Sequence, residues 1–158
     1  VADLKRSAKK MKRSLSSWLS PKPKGWIDDQ RRYRKYLKKI TPRLPAPLVR
    51  LTNEFSLHDD QIYHVQIISR MPSSRDALVT IKVFRDGFSG TAGLLVLHFI
   101  DLQGAMKKPA LQFSIMYFDV EVIEDAVFRL TFALDEKKTW SMKFRDFSFY
   151  FHDYRKQS

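Results

Sequence analysis

At Phe55 the apolar pattern of this 158-residue chain changes period, and that change fixes the class of fold open to it. Side chains return to the same face every 3.6 residues on a helix but every two on a strand. Upstream of Phe55 the spacing is helical. Leu4, Ala8, Met11, Leu15 and Trp18 step by 4, 3, 4 and 3, predicting a helix over residues 2–19 that stops before Pro21. Pro21, Pro23 and Gly25 follow as a stiff connector. A second helix is expected to start near Asp28 and Asp29, where acids suit the positive end of the helix dipole, and to run to Ile40, with Thr41-Pro42 ending it. Tyr33, Tyr36, Leu37 and Ile40 form its apolar side. Pro45 and Pro47 frame a short third helix over 48–55, whose Leu48, Leu51 and Phe55 can cover part of a sheet.

Downstream the pattern alternates. Residues 62–69 place Tyr63, Val65 and Ile67 on one face, and 78–85 place Val79, Ile81 and Val83 likewise, with the turn 72–76 making a hairpin of the two. The leucine-rich stretch 91–102 reads as a strand buried on both faces. Further strands are expected at 112–122, 127–134, 139–144 and 147–151. Seven strands in close succession predict an α+β fold: basic N-terminal helices (1–55) packed on an antiparallel β meander (56–158) that curls into a sandwich or partly open barrel, the two regions forming one structural unit. Phe147, Phe149 and Phe151 share a strand face, which reads as core in a central strand rather than as a platform for stacking bases.

The net charge of +12 is carried entirely by the helical part. Residues 1–50 hold 16 Lys and Arg against three acids, whereas residues 51–158 hold 13 against 14. Lys9, Lys10, Lys12 and Arg13 on the first helix, and Arg31, Arg32, Arg34, Lys35, Lys38 and Lys39 on the second, are the candidate binding residues. Such a front can grip an acidic protein, neutralise nucleic-acid phosphates, lie on an anionic membrane, or merely solvate the outer side of two amphipathic helices. The reading adopted is a non-catalytic binding protein that occludes an acidic protein partner, the alternative being sequence-independent nucleic-acid binding. Cysteine is absent, which removes disulfides and thiol chemistry. The longest apolar run, 94–100, is interrupted by His98 and falls far short of a membrane span, and no apolar signal segment follows the basic N-terminus. A cytoplasmic location is therefore expected, and a start at Val1 leaves room for residues upstream.

The sequence is poor in recognisable chemistry. His58-Asp59-Asp60 with His64 is the densest polar group, but its spacing fits no zinc pattern, and the two acids read as a turn capping the amides of the first strand. Asp119 and Glu121 fall on one strand face, close enough to perturb each other, and are expected to be solvated. His98 reads as a hydrogen-bonded core residue, and His152 lies at a strand end. No catalytic residue, cofactor or metal site is assigned.

Several short stretches carry a resemblance. Arg32-Tyr33-Arg34-Lys35-Tyr36-Leu37 with Ile40, Leu44-Pro45 and Leu48-Val49, then Leu57-His58-Asp59-Asp60-Gln61-Ile62, Met116-Tyr117-Phe118-Asp119-Val120-Glu121-Val122 and the closing Phe144, Phe147 and Phe149 are similar to motifs of an uncharacterised family of small β-rich bacterial proteins, a domain of unknown function found notably in Bacillus-like organisms. The resemblance singles out His58, Asp59, Tyr117 and Asp119 as family-motif positions. Phe118 stands where that family usually has the first of two acids after the tyrosine. The His-Asp strand entry and the β meander also resemble some immunity proteins of bacterial toxin systems, which implies action by binding and blocking.

Overall fold

A computed structural model describes residues 26–84, 91–107, 111, 114–135 and 138–157. The expected first helix with Lys9, Lys10, Lys12 and Arg13, its connector, and residues 85–90 lie outside the described residues. Helix α1 (Trp26–Ile40) runs into a 3-10 turn (Thr41–Arg43), and α2 spans Ala46–Glu54. Six strands follow: β1 (Gln61–Arg70), β2 (Ser74–Phe84), β3 (Thr91–Gln103), β4 (Ile115–Glu124), β5 (Val127–Leu134) and β6 (Lys138–Asp153). A final 3-10 turn covers Tyr154–Gln157.

Every strand pairing is antiparallel, and the order across the sheet is β1-β2-β3-β6-β5-β4. The single meander expected from the sequence is thus two three-stranded meanders, joined where β3 pairs with β6. Loop length is the reason. Tight turns between neighbours β1 and β2 or β4 and β5 force adjacency, but the longer connection from β3 to β4 lets the second meander come in from the opposite side. The two edge strands approach each other at one end. Gln61 bridges Ser114, the Asp59 N–H donates to the Ile115 carbonyl at 2.8 Å, and the Ile115 N–H donates to the Asp60 carbonyl at 2.7 Å.

One hydrophobic core serves helices and strands alike. Tyr36, Ile40, Leu44, Leu48 and Leu51 enter it from the helical side, and Ile81, Leu95, Leu97, Phe99, Phe132 and Phe144 from the sheet. Phe55 meets Phe149 and Phe151 edge-on at 5.9 and 5.3 Å, so the expected apolar faces of α2 and β6 do pack together. Glycine is required at position 93 by the close approach of β6: a Cβ there would run into the His152 carbonyl oxygen and the Phe151 ring.

Two expected strands, 139–144 and 147–151, are one strand in the structure, and it is central as anticipated. The alternation does break, because Phe144 and Phe147 both face the core with Arg145 and Asp146 exposed between them. β3 makes the same jump opposite, where Phe99 and Leu102 are both buried and Asp101 takes a left-handed φ of 57°. Matched phase shifts in neighbouring strands keep both apolar sets inside, and Arg145 pairs with Asp101 at 3.3 Å on the spot.

β1 corrects the predicted face. A bulge between Ile62 and His64 buries Ile62 and turns Tyr63 outward, 56% exposed, and Ile67 further along the strand is 42% exposed. β3 is buried on one face and half-buried on the other, not buried on both. His98 sits on that second face.

Candidate functional site

α1 lies along the free edge of β4, and its sequence explains how. Tyr33 and Tyr36 are three residues apart, hence on one side of the helix. The Val122 N–H donates to the Tyr36 hydroxyl at 3.3 Å, and the Val120 N–H lies at the Tyr33 hydroxyl. Both are amides that an edge strand would otherwise show to solvent, so the helix protects the edge with phenols instead of a further strand. Tyr33 also meets the Tyr117 ring edge-on at 5.4 Å. The apolar side predicted for this helix is therefore its packed side, and Arg31, Arg32, Arg34, Lys35, Lys38 and Lys39 are all exposed on the other.

Asp119 and Glu121 share a strand face, as their spacing requires, but they are not solvated. They are 1% and 3% exposed. Glu121 has Arg129 at 3.6 Å from the neighbouring strand, whereas Asp119 Oδ1 is buried without a hydrogen-bond partner. Burial, followed by the nearby Glu121 charge, pushes the Asp119 carboxyl well above the usual carboxylate range, against the pull of the Val120 amide and the Tyr33 hydroxyl. Burial also raises Tyr36 to about 12 and raises Tyr33 and Tyr117, the latter two further by the Asp119 charge, so all three phenols keep their protons near neutrality. The solvated strand pair read from the sequence is thus a buried acid among tyrosines.

With its native pKa raised, Asp119 holds its proton longer in the folded than in the unfolded chain. It therefore costs stability progressively as pH rises above the unfolded value of about 3.9. Asp119→Asn should stabilise the protein by roughly 1–3 kcal/mol at pH 7, the penalty typical of an unsatisfied buried group, and change little near pH 3. Urea unfolding at the two pH values reads the difference, and an equal effect at both would refute a raised pKa.

His58 is placed by an unusual loop. Leu57 and Asp59 on either side both have left-handed φ values, 60° and 66°, and Leu57 is buried. A bulky residue in that region is sterically costly, so the loop is held by its contacts. His58 Nδ1 lies 3.0 Å from the Met116 carbonyl, on the same β4 edge, and its Nε2 lies 3.6 Å from Asp59. Asp60 does not cap β1: its Oδ1 accepts the Phe84 N–H at 3.0 Å, at the end of β2, and burial raises its pKa. His64 is exposed on β1, away from this loop.

Between the two helices and the start of β4 lies a groove of about 860 Å³, lined by Tyr33, Arg34 and Leu37 of α1, Phe55 and His58 of the following loop, and Met116 to Phe118 of β4. Of the four positions singled out by resemblance, His58 and Tyr117 line it, Asp59 adjoins it, and Asp119 is buried behind the tyrosines. No family model, curated protein or solved structure matches this chain. Leu37, Phe55 and Met116 were not legible as groove residues, because each reads as ordinary core and only the approach of β4 to the helices opens a cleft among them. Tyr33 and Tyr36 did carry a signal, since paired phenols on a packed helix face need partners for their hydroxyls.

The basic residues fall into two groups. Six arginines outside α1 are matched internally: Arg43 with Asp125, Arg50 with Glu54, Arg70 with Asp76, Arg129 with Glu121, Arg145 with Asp101 and Arg155 with Asp153, whereas in the sheet Arg75 donates to the Gly104 carbonyl and Lys82 lies over the Tyr63 ring. Among the described residues no ion pair uses Arg31, Arg34, Lys35, Lys38 or Lys39 of α1. No helix among the described residues is long and apolar enough to cross a membrane.

Proposed function

We propose that this is a non-catalytic binding protein that occludes an acidic surface of a protein partner with the outer face of α1. The observation that carries this reading is the contrast in charge pairing: six arginines elsewhere have acidic partners within the chain, while five exposed cations of one helix have none among the described residues. Neutralised charges cannot steer an encounter, whereas unmatched ones can. The resemblance to immunity-like proteins supports the same mechanism, and a cytoplasmic setting agrees with it. The contact between the two sheet edges supports a partly open barrel as the finer description of the body.

Nucleic acid is the competing ligand, and the surroundings of the cations favour protein. Arg34 borders a groove walled by Leu37, Phe55, Met116 and Phe118, apolar surface that suits side chains and has no use for a phosphate backbone. Reversing four charges together, Arg31→Glu, Arg34→Glu, Lys35→Glu and Lys38→Glu, should leave the fold intact, since all four are exposed, and weaken the partner at least about 100-fold. Capture from nuclease-treated lysate should return one stoichiometric protein with the natural chain and not with the variant. Recovery from untreated lysate of nucleic acid alone, with affinity falling about 0.9 log units per log unit of salt for each phosphate neutralised, would overturn the reading.

A further inference from the structure

The free edge of β4 is closed along most of its length by the chain's own lead-in. Ile115 is bonded through both its N–H and its carbonyl to the loop before β1, the Met116 carbonyl faces His58, and the amides of Val120 and Val122 face Tyr33 and Tyr36. In an antiparallel ladder both main-chain groups of a residue point to the same side and alternate residues point the same way. The geometry that turns Val122 and Val120 away from β5 therefore turns Phe118 away as well. Among the described residues nothing pairs with the Phe118 N–H and carbonyl on that side. Phe118 lies in the lining of the 860 Å³ groove, so the gap in the edge opens into a cleft with an aromatic and aliphatic wall and Arg34 at its rim.

We infer that this groove receives an extended, acidic segment of the protein partner, which pairs its backbone with the Phe118 gap in β4, seats an apolar side chain between Leu37, Phe55 and Met116, and presents its acids to Arg34 and the neighbouring cations of α1. This rests on the binding reading above and adds where and how the partner docks. Strand addition supplies main-chain hydrogen bonds, and the alternate side chains of a strand fall to opposite sides, so one set enters the groove while the other meets the charged helix. Charge complementarity selects an acidic occupant: Arg34 lines the groove, Arg31, Lys35 and Lys38 are exposed on the same helix, and no acidic side chain lines the groove among the described residues.

The test uses the full chain and a synthetic nine-residue peptide of alternating Glu and Leu as probe, followed by amide NMR shifts. The peptide should bind with its largest shifts at Met116, Phe118 and Arg34. A version N-methylated at alternate residues on the pairing side keeps charge and side chains but cannot pair, and should lose at least 10-fold in affinity; Arg34→Glu should lose a similar factor. Shifts confined to Arg31, Lys35, Lys38 and Lys39 with no penalty for N-methylation would overturn the groove while leaving the charged-face reading intact. Absence of peptide binding at millimolar concentration would also overturn it, the charge-reversal capture deciding the wider reading separately. Displacement of the peptide by a single-stranded oligonucleotide without any shift at Phe118 would count against both.

Discussion

Phe144→Ala is expected to lower stability by about 3–5 kcal/mol, the cost of emptying an aromatic site in a core that cannot collapse around it. Phe144 is fully buried and its ring lies 5.0 Å from Phe99, 5.9 Å from Phe147 and 6.1 Å from Phe128. Those neighbours come from three strands, β3, β5 and β6 itself, and Phe144 stands at the shift of phase that β3 and β6 share. Relaxation into the cavity would need both strands to move against a ladder that fixes their register, so the upper part of the range is expected. Denaturant unfolding reads the loss as a lower midpoint with an unchanged slope, and heating as a fall of roughly 10 °C or more. A loss under about 1.5 kcal/mol would mean that the strands are not locked at this point.

Asp76→Ala is the polar counterpart, with an expected loss of about 3 kcal/mol. The Asp76 side chain is 3% exposed and accepts from three residues of the two flanking strands: the Asp101 N–H at 3.0 Å and His98 Nε2 at 2.8 Å from β3, and Arg70 at 2.8 Å from β1. Asp101 is the residue with left-handed φ that makes the phase shift of β3, and the carboxylate satisfies its amide. Removal leaves that half-buried amide without its partner, so hydrogen exchange over residues 100–103 should rise more than elsewhere in β3. Burial pushes the Asp76 carboxyl up, but the Asp101 amide, His98 and Arg70 outweigh it, and its pKa is lowered. A lowered native pKa contributes stability above the ordinary carboxylate range that disappears as pH falls through the native value. Natural protein and variant should therefore differ most at neutral pH and converge in acid; a difference that persists at pH 2 would assign the loss to packing alone.

These two sites show what the sequence did and did not make legible. Phe144 and Phe147 were readable as core, and the interruption at Arg145-Asp146 was readable as a break in alternation. That break suggested two strands, because a pattern of period two cannot tell an end from a phase shift; the answer depends on whether a neighbouring strand shifts in step, and β3 does at Asp101. Asp76 was read as part of a turn, since an acid after Pro-Ser-Ser-Arg looks like turn chemistry. Its partners lie 6, 22 and 25 residues away and become partners only through strand pairing. Asp119 and Glu121 were placed on the correct common face but in the wrong solvent environment. Alternation says which side of a strand a residue is on, not what comes to cover that side.

By itself the sequence determined the helical and strand periods, the amphipathic division of α1 with its cations outward and Tyr33, Tyr36, Leu37 and Ile40 inward, the antiparallel α+β class and the central position of β6. All of these follow from local sterics and from burial of apolar surface, which act along the chain and leave a periodic trace in it. Tertiary structure alone decided that β3 joins β6, that two tyrosines guard the β4 edge, that Asp119 is buried beside them and that a groove opens at Phe118. Those depend on hydrogen-bond and charge partners brought together across as many as 86 residues of chain, and a pairing at that distance leaves no period to be read.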